Sequence, residues 1–398
     1  MKKYRILYIE NGLQGGGSAE SLLQLLIQLD NKKFEPLVLF TSRTPYVQRL
    51  SDEKIRTIVF DNWYISRPES FFRKFFYQLT NFMVVYGAKF VPIFSSMLDS
   101  VCTFFLRKKL LKLLQYEKID LVHTNNNISR DYWAITTTRK AGVPCVSHIR
   151  SFHAMSFTSK KARVINNTAD KVICYSRSIM DYWVKKGLEP KISKIIPNAI
   201  GEVEVKQINI YDIFKLKTNA PVIGIIGQII PERGHDILIQ SLPAICKEVP
   251  DLQMLIVGRG EKAIIQNLSR QISELGLEDT VVFTGHYNNA KEIIASLDAI
   301  VLPYLIEPFG RTLLEAWQLE TPVVVSNVGY INDIVEHEKD VLIFDINKQQ
   351  TLSSEITRLL SDKDLSDRIA KQGKKKCLQH FSIESHSAAV EKIYYELI

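Results

Sequence analysis

Two sets of six short, β-branched apolar runs, each parted from the next by a stretch with helical spacing, constrain this chain more than any other feature. The first set falls at 5–9, 36–40, 56–60, 120–124, 144–149 and 172–175. The second falls at 222–226, 253–257, 281–284, 299–302, 322–326 and 341–344. Runs that are apolar at nearly every position suit strands covered on both faces, and the helices between them supply the crossovers a parallel sheet needs. The expectation is an α/β chain of two doubly wound, Rossmann-like domains. Its 398 residues suit two domains of ordinary size. The polar stretch 203–217 parts the two sets, giving domains 1–203 and 204–383 and a terminal helix over 384–398.

In such sheets ligands sit at the carboxyl ends of the strands. The stretch Glu307 to Glu315, reading EPFGRTLLE, follows the run 299–302 and opens a helix. Glu307, Pro308 and Phe309 then fall on the loop, and Glu315 about one turn into the helix. Gly310 lets the backbone pass close to a ligand, and the unpaired N–H groups from Arg311 and Thr312 onward form an anion site suited to a phosphate. Glu315 could accept two hydrogen bonds from a vicinal diol such as a ribose, and Glu307 could do the same for a sugar. Two glutamates at this spacing are by themselves more often solvated helix-face charges. The EPFG string and the preceding strand favour the site.

Gly15, Gly16 and Gly17 stand between the first run and the amphipathic SLLQLLIQL. They permit close approach to a diphosphate, or make a plain tight turn. The loop GQIIPERG at 227–234, VGRGE at 257–261 and TGHYNN at 284–289 end later runs at one sheet edge. His148 ends a run in VSHIR, with His153 nearby.

Composition narrows the partners. The net charge of +8 divides into +16 for residues 1–200 (31 Lys and Arg, 15 Asp and Glu) and −8 for the remainder (20 and 28). The basic half implies a polyanionic partner, a nucleic acid or an anionic membrane surface. Between Trp63 and Leu110 stand 13 of the 39 aromatic residues, interleaved with Arg67, Arg73, Lys74, Lys89 and the RKK at 107–109. That mixture suits a helix in the headgroup region of a membrane, or a helix pair with aromatics as core. No nucleic-acid-binding motif accompanies it, which argues against nucleic acid. Five scattered cysteines in no metal-like spacing read as reduced core residues of a cytosolic protein. The apolar start ends at Ile9, too short for a signal-peptide core, and no run is long enough to span a bilayer.

Together these strings resemble the retaining glycosyltransferases of the two-domain GT-B fold, the large family called family 4. The resemblance implies two Rossmann-like domains facing a cleft, with the terminal helix packed back on the first. It implies transfer of a sugar from a nucleoside diphosphate donor, a UDP-sugar foremost, to a hydroxyl of a glycan or lipid-linked glycan acceptor in surface polysaccharide synthesis, with retention. Glu307 then holds the donor sugar, Glu315 the ribose and His148 a further sugar hydroxyl, while GGGSAE brings Gly16 and Gly17 to the donor. Gly258, Arg259 and Tyr287 cup base and ribose, and Phe309, Gly310, Arg311 and Thr312 line the phosphates. The family shows Gly-Arg in the loop at 227 and a lysine five residues on. Here Gln228 replaces that arginine and Arg233 that lysine, so one cation is lost. This leaves a catalytically weakened donor-binding partner as the alternative to an active hexosyltransferase. The family's "PNG" turn corresponds to Pro197, Asn198 and Ala199. No Asp-x-Asp ends a strand, so no metal and no other cofactor is expected, and the enzyme is expected on the cytoplasmic face of a membrane.

Overall fold

The computed structural model describes residues 2–11, 17–60, 91–150, 157–306, 310–329 and 331–398, the helix over 91–102 and Gln349 by their backbone alone. They divide into two compact units, Met1–Pro197 with His386–Ile398, and Asn198–Ser385. The divisions fall a few residues from the positions 203 and 383 read from the sequence.

The first unit is built on seven parallel strands: β1 Tyr4–Glu10, β2 Phe34–Phe40, β3 Arg56–Val59, β4 Leu121–Thr124, β5 Cys145–Ile149, β6 Lys171–Cys174 and β7 Ser193–Ile195. Their order is β3-β2-β1-β4-β5-β6-β7. Alternate residues of β1 enter opposite cores. Ile6 and Tyr8 pack with Leu22, Leu25 and Val390, and Leu7 and Ile9 with Leu106, Leu110 and Leu114. Helices on both faces are why the strand reads as continuously apolar. The sequence showed six strands here, and β7 corrects that count. It has three residues at the sheet edge, with Lys194 and Ile195 exposed, so no apolar run marks it.

Within the aromatic and basic window, residues 61–90 lie outside the described residues. The helix Val91–Tyr116 follows them. Leu106, Leu110 and Leu114, spaced by one turn, face the sheet. The opposite face carries the exposed Phe104, Phe105, Lys108, Lys109, Lys112 and Tyr116, with Lys108 over the Phe104 ring at 4.7 Å. On the described part of this helix Leu106, Leu110 and Leu114, and not Phe104 or Phe105, supply the core.

The second unit has six parallel strands: β8 Val222–Ile226, β9 Gln253–Val257, β10 Val281–Gly285, β11 Ala299–Leu302, β12 Val323–Ser326 and β13 Leu342–Phe344, in the order β10-β9-β8-β11-β12-β13. Val222, Leu255, Ile300 and Trp317 belong to the core on one face, and Ile223, Met254, Val301 and Leu342 to that on the other. Each such side chain contributes roughly 1.5–3 kcal/mol by leaving water. In both sheets the strand order reverses beside the first strand, between β1 and β4 and between β8 and β11. The carboxyl edge at that reversal is where an open sheet takes its ligand. The turn at Ala199 needs no left-handed backbone, since Ala199 is not among the positive-φ residues. The missing glycine is therefore accommodated without strain.

Candidate functional site

At the carboxyl edge of the second sheet, backbone is locked to backbone. The Gly227 N–H donates to the Val257 carbonyl at 2.9 Å, Ile229 to Arg259 at 2.7 Å and Gly258 to Gly285 at 2.8 Å. A Cβ on Gly258 would stand 1.7 Å from the Gly227 oxygen, and its φ of +153° also excludes other residues. Gly234 closes on Pro303 in the same way, with 1.9 Å between a would-be Cβ and the carbonyl oxygen. Leu305 N–H then reaches the Glu232 carbonyl at 3.0 Å. The loops after β8, β9 and β11 thus form one connected rim.

Arg233 stands half-buried on this rim, its guanidinium 5.0 Å from the Tyr304 ring centroid. Gln228 beside it is exposed. His235, the first residue of the helix His235–Glu248, is brought down to about 4 by burial and then by the charge of Arg233, so it is neutral at pH 7. Arg233 is therefore the one positive charge from Gly227 to His235. Gly310, at φ +81°, caps the helix Arg311–Gln318 without a side-chain bond to the first-turn N–H groups. Those amides and Arg233 suit a diphosphate.

Glu315 lies one turn into that helix and accepts a hydrogen bond from Arg311 Nη2 at 3.0 Å, with side chains 16% and 9% exposed. The sequence placed Glu315 open to a diol; the structure adds a cation as its partner. Thr312 is half-buried, Arg259 exposed, and Tyr287 packs edge-on against Phe214 at 5.9 Å. Glu307, Phe309 and Gly16 lie outside the described residues. Gly17 is the exposed first residue of the helix Gly17–Gln28.

The first sheet gathers buried polar groups at its own carboxyl edge. Glu10, closing β1, accepts hydrogen bonds from the side-chain amides of Asn125 at 2.6 Å and Asn126 at 3.2 Å. Arg150 Nε donates to Asn125 Oδ1 at 3.0 Å, and Asp131 accepts from the Asn126 N–H and the Asn11 side chain. Burial pushes Asp131 up to about 7, against the bond from Asn11. The signal in the sequence was Asn125, Asn126 and Asn127 directly after β4, at the reversal of strand order.

His148 lies in β5, beside this cluster. Its ring is fully buried, stacked on His386 at 5.7 Å and tilted against His123 at 5.6 Å, with neither nitrogen hydrogen-bonded. Burial and the Arg150 charge hold its pKa well below the usual histidine range. The ring is thus neutral, with His386 of the terminal helix stacked on it. His153 lies outside the described residues.

Residues 15–201 match the family model Glycosyltransferase Family 4, and residues 207–376 match Glycosyl transferases group 1. The chain belongs to the family 4 (group 1) glycosyltransferases. The glycosyltransferase superposes on HepE of Anabaena, solved with UDP and glucose, with a TM-score of 0.78 at 20% identity, covering 99% of this chain and 100% of that one. A glycosyltransferase from Rickettsia africae gives 0.80 at 15% identity, over 100% and 99%. The fold is therefore GT-B. Among curated relatives, the Escherichia coli UDP-Gal:alpha-D-GlcNAc-diphosphoundecaprenol alpha-1,3-galactosyltransferase is 26% identical over 73% of this chain and 78% of its own length. The Saccharomyces cerevisiae phosphatidylinositol N-acetylglucosaminyltransferase GPI3 subunit is 26% identical over 66% and 60%. The lipopolysaccharide core glycosyltransferase LpsE of Rhizobium meliloti is 26% identical over 58% and 64%. The matched stretches of the last two thus span less than two thirds of those relatives.

In the glycosyltransferase, Arg233, Gln228, Gly258, Gly310, Arg311 and Glu315 come to loops and a helix start along one sheet edge. Tyr304, two residues beyond β11, meets Arg233 on this rim and was passed over by sequence reasoning. It reads there as one more apolar residue after a strand.

Proposed function

We propose that this enzyme transfers a sugar from a UDP-sugar to a hydroxyl of a lipid-linked glycan, with retention at the anomeric carbon, in surface polysaccharide synthesis. The observation that carries the reading is the rim after β8, β9 and β11, which puts Arg233 and a helix start with no side-chain cap along one sheet edge. As the donor breaks, negative charge grows on the diphosphate. Arg233 and the amides after Gly310 stabilise it, and such contacts are commonly worth several kcal/mol. Glu315, oriented by Arg311, takes the ribose diol, and Glu307 holds the donor sugar. Gly258, Arg259, Tyr287 and Thr312 line base, ribose and phosphates. With leaving-group charge met by a guanidinium and amides, the reading needs no metal, and a chelator leaves turnover unchanged.

UDP as the nucleotide is supported by the relatives and solved neighbours whose names carry it. A lipid-linked acceptor is supported by the diphosphoundecaprenol and phosphatidylinositol of two relatives. The outward Phe104, Phe105, Lys108, Lys109 and Lys112 suit a peripheral seat on the cytoplasmic leaflet. No helix among the described residues is long and apolar enough to cross a membrane.

A thermal-shift series with UDP, GDP, ADP, CDP and dTDP tests the donor, since a ligand of the folded state stabilises by mass action. UDP stabilises most under this reading; equal or no response to all five overturns it. A second reading, a donor-binding partner of low activity, is favoured by the exposed, uncharged Gln228. Nucleotide binding without turnover would select it.

A further inference from the structure

We infer that Tyr304 is the positioning residue for Arg233, holding the guanidinium at the place of the donor diphosphate in a loop whose other expected cation is Gln228. The inference rests on the donor reading above.

The seat of Tyr304 is set from the backbone outward. Ser326 Oγ donates to its carbonyl at 2.8 Å, the next N–H binds Glu232 at 3.0 Å, and the residue before it closes on Gly234. The segment carrying the ring is thus tied to the segment carrying Arg233. The ring is 1% exposed and joins the core with Trp317 and Leu302, so it cannot swing away from the loop. Arg233 meets this ring at 5.0 Å and lies beside Gly227, where a Cβ would come within 3.6 Å of Cζ. Gly227 therefore leaves room for the guanidinium.

The chemistry of the contact suits the task. A carboxylate could hold the arginine, but would cancel the charge that the diphosphate needs. The Tyr304 hydroxyl is buried and burial raises its pKa, so the ring is neutral at working pH. A neutral π face attracts the cation and leaves its charge for the ligand. With glutamine at 228, placement of this one cation governs phosphate affinity.

The test is a double-mutant cycle read by UDP affinity in calorimetry, on the full chain, with melting temperatures taken without nucleotide. Tyr304→Phe keeps the π face and binds UDP within about twofold of the native chain; Tyr304→Met loses the face and binds about tenfold more weakly. In an Arg233→Ala background, Tyr304→Met adds less than about twofold, because residues acting through one group are not additive. Tyr304→Leu replaces Tyr304→Met in the cycle if the methionine variant does not fold. Full additivity with Arg233→Ala, or a Phe variant as weak as Met, overturns the inference while the donor reading stands. An Arg233→Ala variant that binds UDP as the native chain does, or a native chain that does not bind it, overturns the donor reading and the inference with it.

Discussion

Arg311 Nη2 donates to Glu315 Oε1 at 3.0 Å across one turn of the helix that Gly310 caps, and both side chains are largely buried. The carboxylate is thus oriented before any ligand arrives, and its orientation depends on a cation that the helix itself supplies. Preorganisation of this kind reduces the entropy that a ligand must overcome on binding.

Removing either partner therefore has two effects. Glu315→Ala removes one hydrogen-bonded partner of Arg311, costing about 1–3 kcal/mol in denaturant unfolding. The same variant binds UDP at least about tenfold more weakly, while Glu307→Ala mainly lowers turnover, as follows from the proposed roles of the first in holding the ribose and the second in holding the reacting sugar. Unchanged UDP affinity in a folded Glu315→Ala variant removes Glu315 from the site.

Gln228→Arg restores the family's cation beside Arg233. Gln228 is exposed, so the new side chain meets no packing cost. Turnover is preserved or raised, by up to about the hundredfold to thousandfold that a charged transition-state contact commonly supplies. A folded variant with a large loss shows that the loop is organised around glutamine.

Stability falls on acidification. His123 and His148 are held well below the usual range, and His386 and His235 are brought to about 4, burial being the first cause in each. A histidine whose pKa is depressed by folding contributes fully above the unfolded value near 6.5, and loses that contribution as pH falls toward the folded value, at up to about 1.4 kcal/mol per pH unit. Arg150, Tyr8, Tyr394 and Glu391 surround or bear on the cluster in the first unit. Asp131, raised to about 7, works in the opposite direction, since its protonation favours the fold below that pH. Four histidines outweigh one carboxyl, so the melting temperature drops between pH 6.5 and 4. His386→Phe flattens the profile and Asp131→Asn steepens it; a pH-independent melting temperature contradicts the buried, neutral cluster.

The outward face of the helix Val91–Tyr116 is tested with vesicles. Lys108→Glu, Lys109→Glu and Lys112→Glu together reverse three exposed charges, each worth roughly 1 kcal/mol near an anionic leaflet. Co-sedimentation with phosphatidylglycerol vesicles at low salt falls by at least about tenfold relative to the native chain. Equal sedimentation of the two proteins assigns the face to another partner.

Much of the architecture is local, and for that reason legible. Strands covered on both faces leave continuous apolar runs, so all six strands of the second sheet and six of the seven in the first fall on runs visible in the sequence. The short edge strand at Ser193–Ile195 leaves no such run, because its outer residues stay in water. The helix starts at Arg311 and His235 were legible as well, since the spacing within EPFGRTLLE and GQIIPERG sets them. Contacts between distant segments were not. Tyr304 reaches Arg233 only because β8 and β11 are neighbours in the sheet, although 71 positions part the two residues. Glu10 meets Asn125 because β1 and β4 flank the reversal of strand order. His148 meets His386 only because the helix from the far terminus belongs to the first unit. Periodicity and spacing record what a segment does with its own neighbours. Which segments then become neighbours, and which side chains they bury or pair, is decided by packing.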